Sequence, residues 1–128
     1  MSDHTNHLTT GEWHVLSCLW EQSPRTVMQL VSALGEKVGW AKSTTITTLR
    51  RMEEKGLVRC EAAGRGRQYY PCVEEKQATQ QETRSFLDRV YRGSVGMMLS
   101  AMAREEALSR DEIEQLYAIL KQAEEGCS

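Results

Sequence analysis

Between Trp40 and Gly56 the sequence WAKSTTITTLRRMEEKG gathers hydroxyl, guanidinium and ammonium groups into one unbroken stretch. Hydroxyls can bond base edges, and an arginine can make a bidentate contact with guanine. The chemistry on offer is recognition by hydrogen bonds and charge. At 100° per residue, Thr44, Thr47 and Arg51 fall together on one side, flanked by Ser43, Thr48, Arg50 and Lys55. Thr45, Ile46, Leu49, Met52 and the stem of Lys42 fall on the other. This predicts a helix that Ser43 caps, that runs to about Lys55 and that Gly56 stops. One side would rest on a small core while the other presses into the major groove of DNA. An ordinary amphipathic helix with a solvated face carries the same division, so the neighbouring segments must decide.

Upstream, Thr10 can cap a first helix with Glu12 in its first turn and Trp13, Leu16, Leu19 and Trp20 as its apolar stripe. Ser23-Pro24 breaks it. Val27, Leu30, Val31 and Leu34 repeat at helical spacing, with Gly35 ending the run and residues 36–42 turning the chain. Two short helices before a third with a polar outer face read as a helix-turn-helix. A short extended piece near Arg25-Thr26 adds one strand. After Gly56 the period changes to two short β-leaning runs, Leu57 to Glu61 and Gln68 to Val73, around AAGRGR. That is a hairpin with Arg65 and Arg67 at its tip, placed to lie on sugar-phosphate backbone or in a minor groove. Cys60 and Cys72 are expected across from each other in it.

From Glu74 onward the pattern is helical. A long polar helix over 74–92 ends in Phe86, Leu87, Val90 and Tyr91. Gly93 and Gly96 interrupt, and Met97, Met98, Leu99 and Met102 form a short apolar segment. Ser109 and Glu112 make a capping box for a last helix striped with Ile113, Leu116, Tyr117 and Leu120. Three helices in so short a segment cannot enclose much core. Phe86, Val90, Tyr91, Met98, Met102, Ile113, Leu116 and Leu120 are therefore expected to meet the same faces of a second copy.

The expected architecture is mainly α with a small β-hairpin wing. Residues 1–73 form a winged helix-turn-helix, and residues 74–128 a helical dimerisation domain. Charge follows the same division. Residues 37–67 carry eight Lys or Arg against three Glu, while residues 74–128 carry seven bases against eleven acids, in a chain of net charge −2. A basic stripe followed by an acidic segment suggests two jobs. No apolar run approaches a membrane span and no signal peptide opens the chain, so no membrane insertion and a cytoplasmic location are expected. The four cysteines, 18, 60, 72 and 127, have no CxxC spacing and read as reduced thiols. His4 and His7 are spaced HxxH, but a polar terminal stretch is a poor ligand frame, and no metal or cofactor is expected. Without a glycine-rich phosphate loop or a base beside the Ser and Thr hydroxyls, the chain does not read as an enzyme.

Several of these residues carry a likeness to a known family. Glu12-Trp13 with Leu19-Trp20, then Trp40, Ser43-Thr44, Thr47, Arg51 and Lys55-Gly56-Leu57, then Tyr69-Tyr70-Pro71 and Val73, resemble the penicillinase repressor family. That family includes methicillin-resistance and copper-transport repressors. Phe86, Val90 to Gly93, Leu108-Ser109, Asp111 to Glu114 and Leu116 resemble its dimerisation half. The resemblance implies a homodimeric winged-helix repressor on a pseudo-palindromic double-stranded operator, controlling a resistance or stress-response operon and induced by loss of dimerisation. From the helix face and the wing tip, operator contact is expected at Lys42, Ser43, Thr44, Thr47, Thr48, Arg50, Arg51, Lys55, Arg65 and Arg67. In antibiotic-responsive members a regulatory protease linked to a membrane sensor leads to a cut at an Asn-Phe bond. In copper-responsive members a Cys-rich tail binds metal. Here Asn6 is the only Asn, Phe86 the only Phe and Cys127 the lone tail thiol. Counted back from Leu108-Ser109, the cleavage position falls at Ala101-Met102. The alternative is a winged-helix protein–protein interaction module without DNA binding, for which the basic face and wing tip would have no use.

Overall fold

The computed structural model describes residues 8–126, Arg65 excepted. His4, Asn6, His7, Arg65 and Cys127 thus lie outside the described residues. The elements run α1 (Thr10–Glu21), β1 (Arg25–Thr26), α2 (Val27–Val38), α3 (Lys42–Lys55), β2 (Val58–Ala63), β3 (Gly66–Pro71), α4 (Glu75–Tyr91), α5 (Val95–Arg104) and α6 (Arg110–Gly126). The chain divides into two compact units that meet between Ser85 and Phe86. This is the mainly helical winged helix-turn-helix followed by C-terminal helices that the sequence pattern describes.

In the first unit, α1 to α3 surround a core of Val15, Leu16, Leu19, Leu30, Leu34, Leu49 and Met52, all essentially without solvent exposure. The N-cap of α1 is Thr9, one residue before the expected Thr10. Its hydroxyl accepts from Glu12 N while Glu12 accepts from Thr9 N, a complete capping box. Thr26 and Gln29 repeat that arrangement on α2. Gly35 does not end α2, contrary to the sequence reading. The helix continues to Val38 and stops at Gly39, whose φ of 73° is left-handed. The short extended piece exists, and β1 pairs antiparallel with β3 to give the sheet order β1-β3-β2.

The first hairpin strand is one residue longer than expected and the second is shifted toward the tip; they pair from Val58↔Pro71 to Ala63↔Gly66. In this register Cys60 faces Tyr69. Cys72 lies beyond the strand, its N–H donating to Leu57 O at 2.9 Å. The two cysteines are therefore not opposite each other, which corrects the sequence expectation. The first part of α4 packs with this unit, because Ala78 is fully buried in its core. Trp20 Nε1 donates to Val73 O at 2.8 Å just upstream. The division of the chain consequently falls inside α4, beyond the end of the wing.

The second unit holds the end of α4 with α5 and α6. Ser109 and Glu112 form the expected capping box of α6. Gly93 ends α4 with φ 83°, while Gly96 lies inside the first turn of α5 without breaking it. Not one residue of α5 or α6 is buried. Phe86, Val90, Ile113 and Leu120 are exposed, and Tyr91, Met98, Met102 and Leu116 are half-buried. Tyr117 and Ile119 widen the same apolar surface. Among the described residues no helix is long and apolar enough to cross a membrane.

Candidate nucleic-acid interface

The interface is built on α3. Its core stripe is Thr45, Leu49 and Met52, spaced i, i+4, i+7 and fully buried. Ile46 does not belong to it. It stands one residue off the stripe, about 100° around the helix, and is 39% exposed. Lys42 is exposed as well, so both depart from the core side assigned to them.

Ser43 does not cap α3. The helix begins two residues earlier than that cap implies, at Lys42, with Ala41 as an N-cap that offers no side-chain hydrogen bond. The first turn holds no acid to complement the helix dipole, and Lys42 sits there instead. A cation at a helix N-terminus opposes the dipole, an arrangement better suited to meeting an anion than to stabilising the helix. The other end is closed tightly. Gly56 has φ 82°; its N–H donates to Glu53 O, and Leu57 N–H donates to Met52 O. This is a Schellman closure, sealed by the apolar pair Met52 and Leu57, both buried.

The outward side carries the residues expected there. Ser43, Thr44, Arg50 and Arg51 are exposed, and Thr47 and Thr48 are half-buried. Ser43, Thr44, Thr47, Thr48 and Arg51 line one shallow hollow, and Thr47, Arg50, Arg51 and Glu54 line another. Thr48 is partly committed elsewhere, since its hydroxyl donates to Thr44 O at 2.8 Å. Glu54 was not singled out from sequence, yet the helical wheel places it about 20° from Thr47, on the side away from Arg51. As an acceptor on a face of donors it can meet the amino group of cytosine.

Lys55 is differently placed. Its ammonium lies 2.5 Å from Glu12 Oε2, and the Glu12 side chain is only 6% exposed. The wing keeps Arg67 exposed, with its Nε donating to Cys60 Sγ at 3.1 Å. That bond with the thiol raises the pKa of Arg67. Burial raises the pKa of the Tyr69 phenol beside it, so the phenol remains neutral. On the other face of the hairpin, Arg59 pairs with Glu61 and stacks over Tyr70 at 4.2 Å. Its charge is largely spent within the wing.

A family model described as penicillinase repressor matches residues 8–122. The methicillin resistance regulatory protein MecI of Staphylococcus aureus (strain N315) is 27% identical over 120 residues, covering 94% of this chain and 98% of its own length. The penicillinase repressor of Bacillus licheniformis is 28% identical over 115 residues, covering 90% of each chain. In structure, the chain is similar to the monomeric form of Bacillus licheniformis BlaI solved in complex with the blaP half-operator. The TM-score there is 0.51 at 24% identity, over 55% of this chain and 85% of that one.

Proposed function

We propose that this chain, which belongs to the penicillinase repressor family of winged-helix DNA-binding repressors, silences a resistance or stress-response operon by holding a pseudo-palindromic operator as a cytoplasmic homodimer. The observation that carries this reading is the division of α3 into a buried apolar stripe and an outward face of hydroxyls and guanidinium groups. Arg51 reads guanine, and Thr44 and Thr47 bond neighbouring base edges. Ser43, Thr48 and Arg50 border them. Lys42 at the start of α3, with Arg65 and Arg67 on the wing, engages phosphates and fixes the register.

The exposed apolar faces of α5 and α6 support the homodimer, because helices without a single buried residue need a partner to cover them. Two copies place their recognition helices about 34 Å apart, one turn of DNA, which matches two half-sites. Induction acts by weakening that dimer. The candidate bond Ala101-Met102 lies half-buried in the last turn of α5, before a turn in which Glu106 has φ 56°. A regulatory protease linked to a membrane sensor, cutting there, would separate α6 from the rest. Each half would then lose the effective-concentration gain of the pair.

The test is titration of the full chain onto a duplex carrying the inverted repeat of its own promoter and onto a shuffled duplex at the same salt. The repeat should bind at least about 1,000-fold more tightly. Equal affinity for both would overturn the reading.

A further inference from the structure

We infer that Glu12 is a positioning residue for DNA recognition: through its ion pair with Lys55 it fixes the angle at which α3 leaves the core, so that Lys55 serves the placement of α3 and not a phosphate of the DNA. The inference rests on the reading of α3 as the base-contacting helix.

Glu12 lies in the first turn of α1, 43 residues before Lys55. Both of its carboxylate oxygens are engaged. Oε1 accepts from Thr9 N at 2.9 Å and Oε2 from Lys55 Nζ at 2.5 Å. A carboxylate so withdrawn from water must have its charge met, and Lys55 meets it. Leu8, next to the cap residue Thr9, is itself buried in the core. The anchor of this joint is therefore the fixed start of α1.

Lys55 is the last residue of α3, followed by the Gly56 closure and buried Leu57. The reading residues lie up the helix from this clamped end. At 1.5 Å per residue Thr44 stands about 16 Å from Lys55, so a tilt of about 10° at the joint moves Thr44 by about 3 Å. A shift of that size exceeds the range over which a base-edge hydrogen bond survives. On the helical wheel Lys55 stands beside the outward face, and from that position alone it passes for a phosphate contact. Its bond to a nearly buried carboxylate assigns it the other role.

The experiment measures binding of the full chain to the inverted-repeat duplex and to a shuffled duplex over a range of salt concentrations. The variants are Glu12→Gln, Lys55→Met and the two together. Each single variant is expected to bind the repeat about tenfold more weakly, with shuffled-duplex affinity and salt slope unchanged and no further loss in the double variant. If Lys55→Met instead weakens both duplexes alike and lowers the salt slope by about 1 while Glu12→Gln binds as wild type, Lys55 is a phosphate contact and the inference is overturned. Wild-type preference for the repeat in all three variants also overturns it. Thermal melts followed by circular dichroism report folding. Should a single variant unfold, the double variant, which removes both charges together, decides by the same loss or retention of preference. Wild-type protein that does not prefer the repeat would instead remove the DNA reading, and this inference with it.

Discussion

Truncating Leu120 to alanine should weaken the dimer by an amount the structure sets. Leu120 lies on α6 with 52% of its surface exposed in the single chain. Complete burial of a leucine is worth about 1.5–3 kcal/mol, so covering the half that remains is worth about 1 kcal/mol. A two-fold interface uses the same patch from both protomers, so Leu120→Ala loses that gain twice, about 2 kcal/mol or roughly 30-fold in dimer Kd. Sedimentation equilibrium over a concentration series measures it directly. Met28→Ala is the matched control, because Met28 is 57% exposed but stands on α2 in the winged unit. It should leave the dimer untouched. Operator binding should separate in parallel, with Leu120→Ala weaker on a paired site and unchanged on a single half-site. Equal effects of the two variants, or none from either, would refute the assignment of α6 to the interface.

Arg51→Ala should cost about 1–3 kcal/mol of operator binding and relax preference at one base position, as read by a panel of single-substitution duplexes. Lys42→Ala and Arg67→Ala should each weaken all sequences alike and lower the salt slope by about 1, visible in titrations at several salt concentrations. Gly56→Ala finds open space for its methyl but keeps a φ of 82° that alanine disfavours. It should lower stability by about 1–2 kcal/mol in urea melts and loosen the end of α3. Mass spectrometry of the protein recovered before and after challenge with a cell-wall antibiotic should show a fragment ending at or near Ala101. Full-length chain with the target genes switched on would exclude proteolysis as the trigger.

What the sequence made legible was local. The outward grouping of Thr44, Thr47 and Arg51 follows from helical period alone, the Ser109 capping box from the spacing of Ser109 and Glu112, and the strand at Arg25-Thr26 from the extended piece beside the Ser23-Pro24 break. The misplacements are also local in origin. Ser43 has the chemistry of a cap, but the helix starts at Lys42, and the cap position falls two residues before Ser43, on an extended Ala41. Gly35 looks like a terminator, but the left-handed turn forms at Gly39. Ile46 counts as apolar on the wheel, but the core behind α3 is only as wide as the row Thr45, Leu49 and Met52. Other features were out of reach because they depend on distant residues. The Cys60↔Tyr69 register is set by where the turn at Gly64 falls. The pairing of Glu12 with Lys55 joins two ends of the winged unit that no periodicity links. In the same way the burial of Ala78 draws the start of α4 toward the winged core, which an acidic, polar run does not announce.

Thr26 closes β1 against Gln68 of the wing and also provides the cap from which α2 begins. One residue is thus shared by the sheet and by the helix-turn-helix. With Cys72 tied to Leu57 at the root of the hairpin, the wing and α3 have little room to slide past each other. On the proposed reading they would address DNA as a single stamp. A half-site in which an inserted base pair separates the groove bases from the flanking phosphates offers such a stamp no compromise. One set of contacts or the other is lost whole. Affinity should then fall in a step rather than a slope when base pairs are inserted within a half-site, and base changes that leave the length of the operator unaltered should be better tolerated between the half-sites than within them.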